Sequence, residues 1–160
     1  MLLAYHDSWL DAFVRLLGER RADEPLDVLM QRTLDELDAE GLGSDRRVEE
    51  LSVLPPVLEF LGSGSPEIAG HILHRWVGAL DELAQRFREI SGAPDDSLVP
   101  RLEASAVFAA WMTSTLDFRE RWTRGLSGES SHDVGVLAIQ AFVGGLGGGA
   151  TSATGSADRG

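Results

Sequence analysis

The chain has 160 residues, 43% of them hydrophobic, with 26 acidic and 14 basic side chains, a net charge of −12 and no cysteine. That length suits one core and one domain rather than two, and the missing thiols exclude disulfides, thiolate metal sites and cysteine nucleophiles. Nucleic acids are held largely by basic side chains on phosphates, so a chain this acidic is a poor DNA ligand, and its charge reads as a solvated surface.

The first predicted helix spans Leu2 to Leu17, where Leu2, His6, Trp9, Phe13 and Leu16 recur at three- and four-residue spacing and Gly18 follows as a stop. Asp7 and the lack of a basic leader or small-residue cleavage site argue against a signal peptide. Asp23 and Glu24 then precede Pro25, and Leu26, Leu29, Met30, Thr33, Leu34 and Leu37 form the stripe of a second helix that ends at Gly41. Its opposite side carries Asp35, Glu36, Asp38 and Glu40, most simply a wet face rather than acid–base machinery.

A third segment, capped by Ser44 or Asp45, runs to Leu54, where Pro55 and Pro56 break it, and a short fourth helix follows from Pro56 to Leu61. Ser65-Pro66 pairs an N-cap with a proline at the first helical position, opening a long fifth helix to Ile90. Ile68, Ile72, Trp76, Leu80, Leu83 and Phe87 line its apolar side, and Ser91-Gly92-Ala93-Pro94 ends it. A sixth helix from about Ser97 to Trp122 contains the run Ala104 to Leu116, apolar or small on every side. Such a helix must be covered all round, so one side is expected to pack on its own core and the other on a second copy of the chain.

A last, weaker helix is expected over His132 to Val143. From Gly144 onward the sequence has too few apolar side chains to offset ordering entropy, and a disordered tail over residues 144–160 is expected. No strand pattern or repeat occurs, and no apolar run approaches the roughly 20 residues of a membrane span, so the expected protein is all-α, non-membrane and cytoplasmic.

Few motifs suggest chemistry. His71 and His74 lie three apart, a spacing that can aim two imidazoles at one metal, but no motif completes the set. Glu129 and His132 form one Glu-x-x-His where a di-iron bundle needs two, and Ser131, His132 and Asp133 are merely consecutive, which makes helix capping the better account of them. The glycines from Gly144 to Gly149 lack the preceding strand and following helix of a phosphate loop. No metal, cofactor or catalytic residue is therefore assigned. The absence of lysine also excludes Schiff-base chemistry.

The residues best suited to a small-molecule site are His6, Trp9 and Phe13 on the first helix, Met30 and Thr33 on the second, Phe60 on the fourth and Trp76 on the fifth. They combine aromatic walls, an adaptable thioether and a few polar groups, as ligand pockets do. The plainer alternative is that they fill the core.

The run SPEIAGHILHRWVGALDELAQRFREISG followed by SLVPRLEASAVFAAWMTSTLDFRERW resembles the last two long helices of TetR-type regulators, and Leu2 to Leu17 resembles the connecting helix that follows their DNA-binding unit. The resemblance implies an effector-binding and dimerisation domain over residues 1–143, a bundle of six or seven helices in which the early helices surround an effector and the fifth and sixth form a homodimer, with Leu80, Ala109, Met112, Thr113 and Leu116 at the interface. The chain contains no helix-turn-helix with a recognition helix, so DNA binding by this chain alone is not expected. What remains is the ligand-sensing, dimerising module of such a regulator, binding a small, mainly apolar effector. The alternative is a stand-alone helical binding or protein-interaction domain.

Overall fold

The computed structural model describes residues 2–42, 65–124 and 131–152. Every regular element among them is an α-helix: α1 (Leu2–Gly18), α2 (Leu26–Ala39), α3 (Pro66–Ser91), α4 (Val99–Thr123) and α5 (Ser131–Ser152). The predicted third and fourth helices, with Phe60, lie outside the described residues.

The caps account for the sharpest boundaries. Ser65 Oγ accepts the Glu67 amide at 3.3 Å, and Pro66 occupies the first turn, where an N–H would have no helical partner. At the other end of α3, Gly92 takes the left-handed conformation at φ 63°, which lets the amide of Ala93 return to the Arg88 carbonyl at 3.2 Å. Gly41, at φ 75°, ends α2 in the same way, with the Leu42 amide on the Leu37 carbonyl at 2.8 Å and its own on that of Asp38 at 3.0 Å. These reciprocal bonds satisfy carbonyls that the helix leaves without partners.

α1 is more deeply placed than its apolar stripe suggests. His6, Trp9, Phe13 and Leu16 are buried, and so are Leu10, Ala12, Val14 and Leu17. Among the described side chains of α1, the exposed positions are Ala4, Ser8, Asp11 and Arg15, spaced as one face of a helix. The five described helices close a ring: α1 packs on α2 and α3, α2 on α5, α5 on α4, and α4 back on α3. α4 reaches α1 across the centre of this ring with aromatic rings, Trp111 stacking on Trp9 at 4.6 Å and Phe108 meeting Phe13 edge-on at 5.8 Å. A fully buried aromatic of this kind contributes about 2–3 kcal/mol through removal of its surface from water.

α4 has one side in the core, through Ala104, Ala106, Val107, Ala110 and Trp111. Its hydroxyls need no outside partner: Thr115 donates to the Trp111 carbonyl at 2.9 Å, Thr113 to that of Ala109 at 2.9 Å, and Ser105 to that of Arg101 at 2.8 Å. This back-bonding is how small polar residues sit in an otherwise apolar cylinder.

The last helix corrects a predicted boundary. It continues past Val143 to Ser152, through residues assigned to a disordered tail. Once α5 is nucleated against α2 and α4, each further residue adds a backbone hydrogen bond whatever its side chain, although each glycine weakens the helix by about 1 kcal/mol relative to alanine.

Candidate functional site

Of the described members of the predicted site, His6, Trp9, Phe13 and Trp76 join one aromatic cluster spanning α1, α3 and α4. Trp9 stacks on Phe13 at 4.8 Å and on Trp111 at 4.6 Å, while Trp76 meets Trp111 edge-on at 5.5 Å. Such offset and edge-on pairs are favoured by the ring quadrupoles. Met30 and Thr33 lie fully buried on α2, Met30 within the same core. Phe60 is outside the described residues. Sequence reasoning missed Trp111 and Phe108; the available signal was that both sit in the Ala104 to Leu116 run.

His6 is the polar group of this cluster. The Trp76 indole Nε1, which can only donate, lies 3.0 Å from His6 Nε2; that nitrogen must therefore accept, and the ring proton sits on Nδ1. Nδ1 in turn faces Asp7 Oδ1 at 3.3 Å. The Asp7 carboxylate is shared further, with His71 Nε2 at 3.1 Å and Arg75 Nε at 3.3 Å, and Arg75 also pairs with Asp11. Burial pulls the His6 imidazole below its ordinary pKa, against the smaller upward pull of Asp7. For Asp7 itself burial acts upward, yet the bonds from His71 and His6 and the charges of His71 and Arg75 together hold it below the usual carboxylate range.

Thr33 presents the opposite case. Its side chain is fully buried, yet Oγ1 has no hydrogen-bond partner among the described residues. A buried hydroxyl without a partner costs about 1–3 kcal/mol, so the position departs from ordinary core chemistry.

Two surface clefts are lined by other residues. One, of about 460 Å³ between α1 and α3, has Leu10, Val14 and Ala79 beside the charged Asp11, Arg15, Arg75, Glu82 and Arg86. Its guanidinium groups are already matched: Arg15 with Glu19 and Glu40, Arg75 with Asp7 and Asp11, Arg86 with Glu82. The other, about 410 Å³, lies against the wet face of α2 at Asp27, Asp35 and Glu36 and reaches Val136 of α5. Neither is lined by the predicted effector residues.

His71 is engaged with Asp7, while His74 lies on the rim of the first cleft; no group of three metal-ligating side chains occurs among the described residues. The side chains of Glu129, Ser131, His132 and Asp133 are outside that description.

The predicted interface residues lie on or beside the outward side of α3 and α4. Leu80, Ala109 and Met112 are half-buried, while Thr113 and Leu116 are exposed. Leu73 and Val77 on α3, Leu98 just before α4, and Val99 and Leu102 on α4 are about half exposed or more. Arg101 of α4 pairs with Asp81 of α3 at 2.7 Å, holding the two helices side by side. No described helix is long and apolar enough to cross a membrane. Comparison of the chain with family models, with curated proteins and with solved structures finds no match in any of the three.

Proposed function

We propose that the chain is a sensing and dimerising module of the TetR-like kind, which pairs through α3 and α4 and holds a small, mainly apolar effector against α1 and α2. The observation that carries this reading is the outward face of α3 and α4, where Leu73, Val77, Leu102 and Leu116 stand about half exposed beside Leu80, Ala109 and Met112. Large apolar side chains left exposed on a helix pair cost free energy in water and are what an interaction face needs, and the same face on two copies of the chain would pair as a two-fold dimer. The effector half of the reading rests on Thr33, a polar group set into an apolar core with no hydrogen-bond partner among the described residues. The role is binding, not catalysis, and this chain alone leaves DNA unbound. An effector would act by favouring one placement of α1 over another, since a ligand shifts a conformational equilibrium only through its differential affinity for the two states.

Sedimentation of the full chain at micromolar concentration tests the dimer. Val77→Arg, at an exposed position that leaves the core intact, is expected to yield a folded monomer. Ala109→Arg, half-buried, is expected to split the dimer or unfold the chain. A wild-type chain that remains monomeric overturns the reading.

One observation favours the second reading, a stand-alone interaction domain. Leu137, Phe142 and Val143 expose a further apolar surface on α5, a helix that dimerisation through α3 and α4 does not require. Arginine at Leu137 distinguishes the two: it disrupts the partner contact of an interaction domain and leaves the dimer of a sensing module in place.

A further inference from the structure

We infer that the His6–Trp76 hydrogen bond is a proton-operated latch that fastens α1 to α3 while His6 is neutral and releases when His6 takes up a proton. The geometry requires this direction. Trp76 has only a donor, aimed at His6 Nε2 from 3.0 Å; a proton on Nε2 would set N–H against N–H, so the bond exists only with the neutral ring. The site also supplies the alternative arrangement, because Asp7 Oδ1 lies 3.3 Å from His6 Nδ1 on the other edge of the ring. An imidazolium would keep Asp7 as its counter-charge and turn its other edge away from the indole. Charge-assisted pairing of this kind is about twice as strong as a neutral hydrogen bond.

The surroundings limit what else could carry the effect. Among the described residues, the titratable or charged groups that act on His6 are Asp7 on α1 and His71 and Arg75 on α3. α4 approaches through the uncharged ring of Trp111, packed edge-on against Trp76. Arg75 and His71 both hold Asp7 from the α3 side, so the two helices stay joined at their surface while the buried contact opens. Release would therefore loosen the aromatic cluster between α1 and α3 rather than separate the helices.

Linkage gives the pH window. Burial holds His6 below its ordinary pKa of 6.5, so the unfolded chain takes up this proton at a higher pH than the folded one does. The contribution of the latch is complete above pH 6.5 and is lost as the pH falls from there through the folded-state midpoint. Below that midpoint the neutral fraction of His6 falls about tenfold per pH unit.

The test is a pH titration of the full ¹⁵N-labelled chain by NMR from pH 8 to pH 5, following the ring nitrogens of His6 and solvent exchange of the Trp76 indole proton. The latch predicts an unprotonated, hydrogen-bonded Nε2 at pH 8, a midpoint below that of an exposed histidine, and loss of indole protection with that same midpoint. His6→Gln retains an acceptor for the indole and has no proton to gain, so its indole protection should not change over this range. His71→Gln should leave the loss of protection in place. If His6→Gln fails to fold, Trp76→Phe serves instead: with the donor gone, the His6 midpoint should rise. The inference is overturned if indole protection persists through the His6 titration, if the loss follows His71, or if Trp76→Phe leaves the His6 midpoint unmoved.

Discussion

Arg32 grips the carboxylate of Glu24 with two nitrogens, Nε 3.0 Å from one oxygen and Nη2 3.1 Å from the other. Glu24 is buried at the turn into α2, where it also accepts the Arg21 amide at 3.1 Å while its carbonyl receives Arg20 Nε at 3.1 Å. One acid thus ties the α1–α2 loop to the side of α2.

Breaking this knot from its two ends should have unequal costs. Arg32→Ala leaves a buried carboxylate without its counter-charge, whereas Glu24→Gln removes the charge and keeps an acceptor. Because the Arg32 side chain is partly exposed, the first should cost about 2 kcal/mol and the second about 1 kcal/mol, below the range for fully buried pairs. Arg32 holds Glu24 below its ordinary pKa of 4.5, so the pair stabilises the fold above that pH and less as the pH falls through the folded-state value. Urea denaturation at pH 7 and pH 3.5 checks both statements: Glu24→Gln should flatten the acid side of the stability profile, and equal losses at the two pH values would contradict it.

Thr33→Val should be neutral or stabilising, by up to about 1 kcal/mol, since valine keeps the branched shape and removes a hydroxyl that has no partner among the described residues. Ordinary buried threonines behave in the opposite way. If Thr33 is the polar contact of an effector, the same substitution should shrink the rise in melting temperature produced by that effector. Denaturation with and without ligand reads both effects, and a loss of stability without ligand would show that the hydroxyl is satisfied after all.

Gly92→Ala should cost about 1 kcal/mol through the backbone alone. The residue sits at φ 63°, and an added Cβ would meet nothing within 4 Å, so the penalty is that of an L side chain in the left-handed region. Gly92→Asn, which tolerates that region better, should recover part of it. Thermal unfolding of the two variants ranks them, and an alanine variant as stable as wild type would rule out this account of the cap.

Fluorescence anisotropy with labelled duplex should show no binding that survives physiological salt. The net charge is −12, and two exposed arginines of α4 and its end are taken up locally, Arg124 by Glu120 at 2.6 Å and Arg101 by Asp81 at 2.7 Å. Weak association at low salt that disappears on raising it would be phosphate attraction only. Sequence-selective binding at physiological salt would contradict the expectation.

Much of the fold was legible in the sequence because its signals are local. Ser65-Pro66, Gly92 and Gly41 act on backbone groups within a few residues of themselves, so the ends of α3 and the end of α2 follow from the order of residues alone. The stripes of α2 and α3 were legible for the same reason, since helical periodicity is a short-range property. Where local signals weaken, the reading failed: α5 runs on through glycines that give no periodic pattern, supported by packing of its earlier residues on α2 and α4.

Tertiary structure alone decided which side chains became partners. Nothing near His6 in sequence announces Trp76, 70 positions away, or shows that Trp9 stacks on Trp111. Burial of α1 nearly all round was equally hidden, because a stripe reports the side a helix prefers to bury, not how many neighbours close around it. The sequence by itself determined helices, caps and a surface dominated by acid; the ring of helices determined that the most polar residue of the aromatic cluster would be a neutral histidine, since a buried imidazole facing an indole donor has only one protonation state that satisfies both.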